Sequence, residues 1–368
     1  MKPKGKLDKV VSSSSLVRTS GFHPGNRGSN PLETTTARNS GLFFIFAVMK
    51  THILISPQWN PYLNLAVETY ITDTQDADVM TMYLWRNEQT VVIGVNQNPF
   101  SECNVDVLSS EGGHLMRRRT GGGAVYHDLG NLNFSFITGK KNYDVGKQLS
   151  VIQAALRHFG LESEISGRND ITWEGRKFSG NAFFKGTRNN LHHGTILIKT
   201  DGEKMQRYLN VDKAKLQKNG VKSVSSRVIN LSEVASITSD NIIKPLTDAF
   251  ETIYGNKAAV LDFNALANID EVKDIRSIIE SSNYLFGRWK DFHAVKKARF
   301  AWGGVEIDLD VDSAEKRIRD ITIATDCLDT EIIGQAERLI KGSSIVTPPA
   351  NENGNPIIDD IISMIYDD

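Results

Sequence analysis

The chain has 368 residues, 40% of them hydrophobic and 24% charged, with a net charge of −1. These values fit a soluble globular protein of about two domains and give no global positive field for nucleic acid. No run approaches the ~18 apolar residues of a membrane helix, and the two cysteines, Cys103 and Cys327, exclude a disulfide framework or multi-cysteine metal site and fit a reducing compartment such as the cytoplasm.

Residues 1–48 carry seven Lys/Arg against two acids and show no helix or strand period. The segment GFHPGNRGSNPL looks like translated structural-RNA gene sequence, so Met49 reads as the start of the folded chain. An Arg- and Ser-rich organellar targeting peptide is the competing reading. Beyond Met49, Ile53–Ile55 is a short strand, and Asn60-Pro61 is an N-cap with proline at N1 that opens a helix to about Thr72. Met80–Trp85 and Thr90–Gly94 read as strands, and Glu102–Glu111 as a short helix or loop. Leu115–Arg118, Ala124–His127 and Leu132–Thr138 read as strands around a glycine loop. Leu149–Phe159 is an amphipathic helix closed by Gly160. Asp170–Trp173 and Arg176–Phe184 form a hairpin turning at Glu174-Gly175. Thr195–Lys199 is a further strand, followed by helices at 204–208, 231–234 and 240–254. A second unit opens near residue 292, with strands at 298–302, 305–309 and 317–324, a helix at 331–341 and a short last helix. Many strands with few helices between them predict an α+β fold: a mixed, largely antiparallel sheet with flanking helices, plus a small C-terminal α+β accessory domain. The expected divisions are 1–48, 49–291 and 292–368.

Three clusters carry chemistry. In RRRTGGGAVYHDLGN, from Arg117 to Asn131, three arginines run into three glycines. Such a backbone lets amides approach a ligand closely, and the guanidinium groups supply forked donors for phosphate or carboxylate. An anion-binding turn between two strands is the first reading; a hairpin turn with solvated arginines is the plain alternative. In SGRNDITWEGRKFSG, Lys177 sits inside a strand, suited as a point charge to phosphate or carboxylate, or else snorkelling to solvent. Asp170 beside Asn169 offers oxygen ligands for Mg²⁺ or simply a turn. In LHHGT the two histidines point to opposite faces of a strand, so at most one faces a given site.

The ordered set LWRNEQTVVIGVNQNPFSECN, RRRTGGGAVYHDLGN, SGRNDITWEGRKFSGNAFF and LHHGTILI resembles lipoate–protein ligase A. RFAWGGVEIDLDV resembles the start of that family's accessory domain, and the match covers Thr51 to about Asp326. The resemblance implies a fold like that of biotin ligases and class II aminoacyl-tRNA synthetases. It also implies a two-step reaction: lipoate or octanoate and MgATP give an acyl-adenylate and pyrophosphate, and the acyl group then passes to a lysine of an acceptor lipoyl domain. Such acceptors are 2-oxoacid dehydrogenase acyltransferase subunits and the glycine cleavage H protein. Carried over by motif, Arg118, Gly123, Ala124, Val125 and Tyr126 contact ATP or the adenylate. Lys177, the catalytic residue, contacts both lipoate and the α-phosphate. Asn169 and Asp170 fall where metal or phosphate contacts would lie, and His127, His193 and Arg117 fall near the substrate. The lipoyl tail needs a narrow apolar slot, which Val125 and Leu65 could line. Arg119 departs from the family, where a small residue is common, and the region after Asp326 diverges.

Two rivals stand beside this reading. A carrier-dependent octanoyl or lipoyl transferase would use a cysteine nucleophile, and none lies near Lys177. A non-enzymatic basic-loop module would bind nucleic acid, but the chain after residue 48 carries a net charge of −6 and lacks an aromatic platform.

Overall fold

The computed structural model of the protein describes residues 49–167, 170–210 and 228–367. The N-terminal 48 residues and Asn169 lie outside them. Eight strands form the main sheet: β1 (Lys50–Ile55), β2 (Val79–Trp85), β6 (Asn131–Gly139), β7 (Glu164–Ser166), β8 (Asp170–Trp173), β9 (Arg176–Lys185), β10 (Asn189–Leu197) and β11 (Ala259–Val260). Their order across the sheet is β11-β1-β2-β6-β10-β9-β8-β7. β1 pairs in parallel with β2 and β11, and the neighbours from β2 through β6, β10, β9 and β8 to β7 are antiparallel. The mixed, largely antiparallel sheet is therefore as the strand-rich sequence predicts.

Alternation along these strands buries both faces. On one, Met82, Leu84, Phe134, Phe136, Phe178 and Ile196 pack against the helices Val145–Arg157 and Ile243–Tyr254. On the other, Tyr83, Trp85, Ile137 and Leu191 meet the helix Pro61–Thr74. Asn60 caps that helix by accepting from the Leu63 amide at 2.9 Å, a contact worth about 1 kcal/mol. Glu174 (φ 47°) and Gly175 (φ 75°) make the β8–β9 turn, two left-handed residues whose twist matches the paired strands.

The glycine loop corrects the plain alternative reading, a hairpin turn. A smaller sheet contains β3 (Thr90–Ile93), β4 (His114–Arg117) and β5 (Val125–His127) in the order β4-β3-β5. The strands before and after the loop do not pair with each other. β4 runs parallel to β3 and β5 antiparallel to it, so the loop is a crossover past the end of β3, not a hairpin turn. The sequence reading also left 255–291 unassigned. There the helix Asp270–Glu280 packs against Pro61–Thr74 through Val272 and Ile279.

β12 (Lys296–Arg299), β13 (Gly304–Asp312) and β14 (Arg317–Thr325) form a third sheet, packed with the helices Thr330–Ile340 and Pro356–Tyr366 around their own core of Val305, Ile307, Ile323, Ile333 and Ile361. Among the described residues no helix is long and apolar enough to cross a membrane.

Candidate active site

The site lies between the second face of the main sheet, the inner face of the small sheet and the helix Pro61–Thr74. Strand register lays its floor in rows. Ala182, His193, Ser135 and Tyr83 are cross-strand neighbours, and Phe184, Leu191, Ile137 and Thr81 form the next row. One strand repeat the other way, about 7 Å, come Gly180, Thr195 and Asn133, with the Gly180 amide donating to Thr195 Oγ1 at 3.2 Å. The floor thus grades from polar to apolar. Val92, Met116 and Val125 of the small sheet and Leu65 of the helix join the apolar side.

Lys177 stands at the polar end. Its Nζ contacts Asp170 Oδ1 at 2.7 Å, and its side chain is 36% exposed. The ammonium lies over Gly180, where a Cβ would stand 2.9 Å from Nζ, so glycine there makes room for the lysine. Lys177, Asp170 and Gly180 gather because β8 and β9 carry a register shift between Ile171 and Thr172.

Arg117 and Arg118 are not solvated. Arg117 is buried. Its Nη1 donates to the carbonyls of Gly94, Val95 and Gln97 at 3.0, 3.1 and 2.7 Å, its Nη2 to Leu285 at 2.6 Å and its Nε to Tyr284 at 3.3 Å. Arg117 is thus a clamp joining Gly94–Gln97 to the short helix Ser282–Phe286. Arg118, also buried, grips the loop from within. Its Nε donates to Thr120 Oγ1 at 2.9 Å and its Nη2 to the carbonyls of Gly121 and Gly123 at 2.6 and 2.8 Å. Burial pulls both guanidinium pKa values down to about 10.

This grip orients the loop amides. A trans peptide points its C=O and N–H in opposite directions. With the Gly121 carbonyl on Arg118, the Gly122 amide faces outward and donates to the Cys327 carbonyl at 3.2 Å. The Gly123 carbonyl is held likewise, so the Ala124 amide faces away from the guanidinium, positive end outward. Gly122 has φ +88°, and a Cβ on Gly121 would stand 2.2 Å from the Cys327 carbonyl. Glycines are needed here because the accessory unit sits directly on the loop.

The Tyr126 ring points away from the site. It is buried behind the small sheet with Val91, Ile93, Cys103, Leu108 and Tyr208, because alternation turns Val125 toward the site and Tyr126 away. Only its backbone could serve a nucleotide. His127, on the same face of its strand as Val125, packs edge-on against Trp85 with ring centroids 6.3 Å apart, its Nδ1 3.3 Å from Asn87 Nδ2 and its Nε2 buried without a partner. His193 does face the site, with Nδ1 2.9 Å from Glu68 Oε1 and Nε2 2.9 Å from Thr120 Oγ1. His192 points the other way, as alternation requires. It is held by Gln148 and Asn181 at 2.8 and 2.9 Å among the rings of Phe134, Phe136 and Phe183.

Burial lowers the pKa of both His127 and His192 to about 3. The unfolded chain, near 6.5, therefore takes up these protons first. Stability is full above about pH 6.5 and is lost as the pH falls toward 3, by up to ~1.4 kcal/mol per pH unit per histidine. Urea midpoints measured from pH 7 to 4.5 should show this slope, with His192→Gln shallower by about one proton. Equal slopes would contradict it.

Profile matches then settle the family. The lipoyl protein ligase A/B catalytic domain matches residues 60–251, and the bacterial lipoate protein ligase C-terminus matches residues 290–347. A lipoate-protein ligase A of Bdellovibrio bacteriovorus is 38% identical over 304 residues, 81% of this chain and 89% of that one. The chain belongs to the lipoate–protein ligase A family. The crystal structure of P. falciparum LipL1 in complex with lipoate superposes with a TM-score of 0.73 at 29% identity, covering 86% of this chain and 100% of that one. A lipoate-protein ligase A bound with ATP shares the fold at a TM-score of 0.52 and 23% identity, covering 64% of this chain and 95% of that one.

The sequence reading missed Glu68 and Thr120. Glu68 is 1% exposed. Its signal is a carboxylate within the apolar stretch LAVETYI, where a solvated glutamate would not be expected. Two open clefts, of about 590 and 470 Å³, lie elsewhere, and none of the candidate residues lines them.

Proposed function

We propose that this protein is an ATP-dependent lipoate–protein ligase. One observation carries the reading: the Lys177 ammonium, lying over Gly180, closes the polar end of a floor whose far end is Leu191, Ile137 and Phe184. A lipoate carboxylate is already ionised, so its attack on the α-phosphate of ATP needs no general base. The difficulty is that two anions must meet. Lys177 between them lowers the repulsion and stabilises the charge that grows on the phosphoryl oxygens. Asp170 holds the ammonium in place until substrate oxygens compete for it. The outward Ala124 amide supplies a donor for the nucleotide, with Gly123 and Val125 beside it. The apolar rows take the acyl chain, and the lipoate-bound P. falciparum relative supports that substrate.

Asp170 is engaged with Lys177, and no group of three or more His, Cys, Asp or Glu among the described residues could hold a metal ion. Magnesium usually binds through one or two carboxylates and the phosphates of a substrate, so it would come with ATP, and Asp170 is the carboxylate at hand. The acyl group of the adenylate then passes to a lysine amine of an acceptor lipoyl domain. A transferase working through a cysteine fits poorly: Cys103 is buried behind the small sheet, and burial pushes its thiol up to about 12.

The test is ATP–pyrophosphate exchange with lipoate, octanoate and biotin supplied in turn. Exchange should depend on lipoate and be absent with biotin. No lipoate-dependent exchange would end the ligase reading.

A further inference from the structure

The most deeply buried charge near the site, Glu68, is not a residue that the motifs single out. Glu68, from the middle of the helix Pro61–Thr74, places its carboxylate on the sheet floor. Trp85 Nε1 donates to Ser135 Oγ at 3.0 Å, and Ser135 Oγ donates to Glu68 Oε1. The same oxygen lies 2.9 Å from His193 Nδ1. His193 Nε2 lies 2.9 Å from Thr120 Oγ1, which accepts from Arg118 Nε at 2.9 Å.

With Glu68 ionised and His193 neutral, one arrangement of protons satisfies every contact. A carboxylate only accepts, so His193 carries its proton on Nδ1 and gives it to Glu68. Nε2 is then the acceptor, and the Thr120 hydroxyl donates to it. That leaves the Thr120 oxygen lone pairs facing Arg118 Nε–H. The chain runs in one direction from a buried cation to a buried anion, through a histidine on the main sheet and a threonine on the glycine loop. It is the polar tie between the loop and the floor that ends on a charge at both sides. Glu68 also acts on Arg118 through space: after Glu102, it is the second anion that favours the charged guanidinium.

We infer that Glu68 is a positioning residue for nucleotide binding, fixing the His193 tautomer and through Thr120 and Arg118 the conformation of the glycine loop. This rests on the ligase reading above. It assigns Glu68 and His193 a role besides lining the acyl slot. A slot wall would affect the acid substrate, whereas a relay to the loop affects ATP.

ATP–pyrophosphate exchange with ATP and lipoate varied separately tests it. Glu68→Gln and Thr120→Val should each raise the KM for ATP about tenfold, the size of one buried hydrogen bond. The double variant should be no worse than the singles, because both break the same chain. Thr120→Ser, which keeps the hydroxyl, should bring the ATP KM back toward that of the parent. Additive effects, or a rise confined to the KM for lipoate, would overturn the relay. A parent protein without lipoate-dependent exchange would instead remove the ligase reading. Should the variants fail to fold, ¹⁵N chemical shifts of the histidine rings in the parent protein decide the matter: His193 protonated on Nδ1 alone is expected, and any other state overturns the inference.

Discussion

Lys177→Ala should fold normally yet form the adenylate ~10²–10³ times more slowly, the usual cost of removing one charge-stabilising donor from a transition state. Stability should barely change. The Lys177–Asp170 pair is about one-third exposed on both sides, and such pairs contribute only about 0–1 kcal/mol. The substitution does more than delete a donor, because it leaves the Asp170 carboxylate facing an incoming carboxylate and phosphate. Part of the loss is therefore repulsion. The double variant Lys177→Ala/Asp170→Asn should recover some of the rate that the single variant loses. Single-turnover pyrophosphate release with saturating lipoate measures both. A near-parental rate in Lys177→Ala would take the lysine out of the reaction.

Arg117→Met should be the most damaging substitution to the fold, at about 3 kcal/mol or more, because it strips donors from buried carbonyls that no water replaces. Methionine keeps much of the stem, so the loss reports hydrogen bonds more than packing. The five carbonyls come from Gly94, Val95, Gln97, Tyr284 and Leu285, which ties the substitution to two distant segments at once. Urea unfolding of the parent and the variant gives the difference, and a change below ~1 kcal/mol would refute the clamp. Activity should fall with stability and recover where the variant is folded, in contrast to Lys177→Ala.

Much of this molecule was legible before any coordinates. The N-cap at Asn60, the tight turn at Glu174-Gly175 and the opposite facing of His192 and His193 follow from local rules, and all three are present. Lys177 was singled out from its place in a strand, and the structure puts its ammonium at the polar edge of the floor. What was harder to read is the direction in which several side chains point. The arginines beside the glycines read as ligand donors because composition shows a charge but not its direction. Tyr126 read as a contact because the motif names it, although strand alternation already turned its ring away from Val125. Glu68 was passed over because an acid in a helix is ordinarily solvated.

By itself, then, the sequence determined the kinds of elements, their order, the family they belong to and the residues with the chemistry to handle two anions. These depend on interactions between near neighbours and on residue type. Only the tertiary structure decided what each charge faces. Arg117 is satisfied by carbonyls about twenty positions before it and some 167 after it, and Glu68 meets its histidine 125 positions away. Whether an arginine in a glycine loop reaches a phosphate or closes on its own backbone is set by those distant partners, and no local pattern contains them.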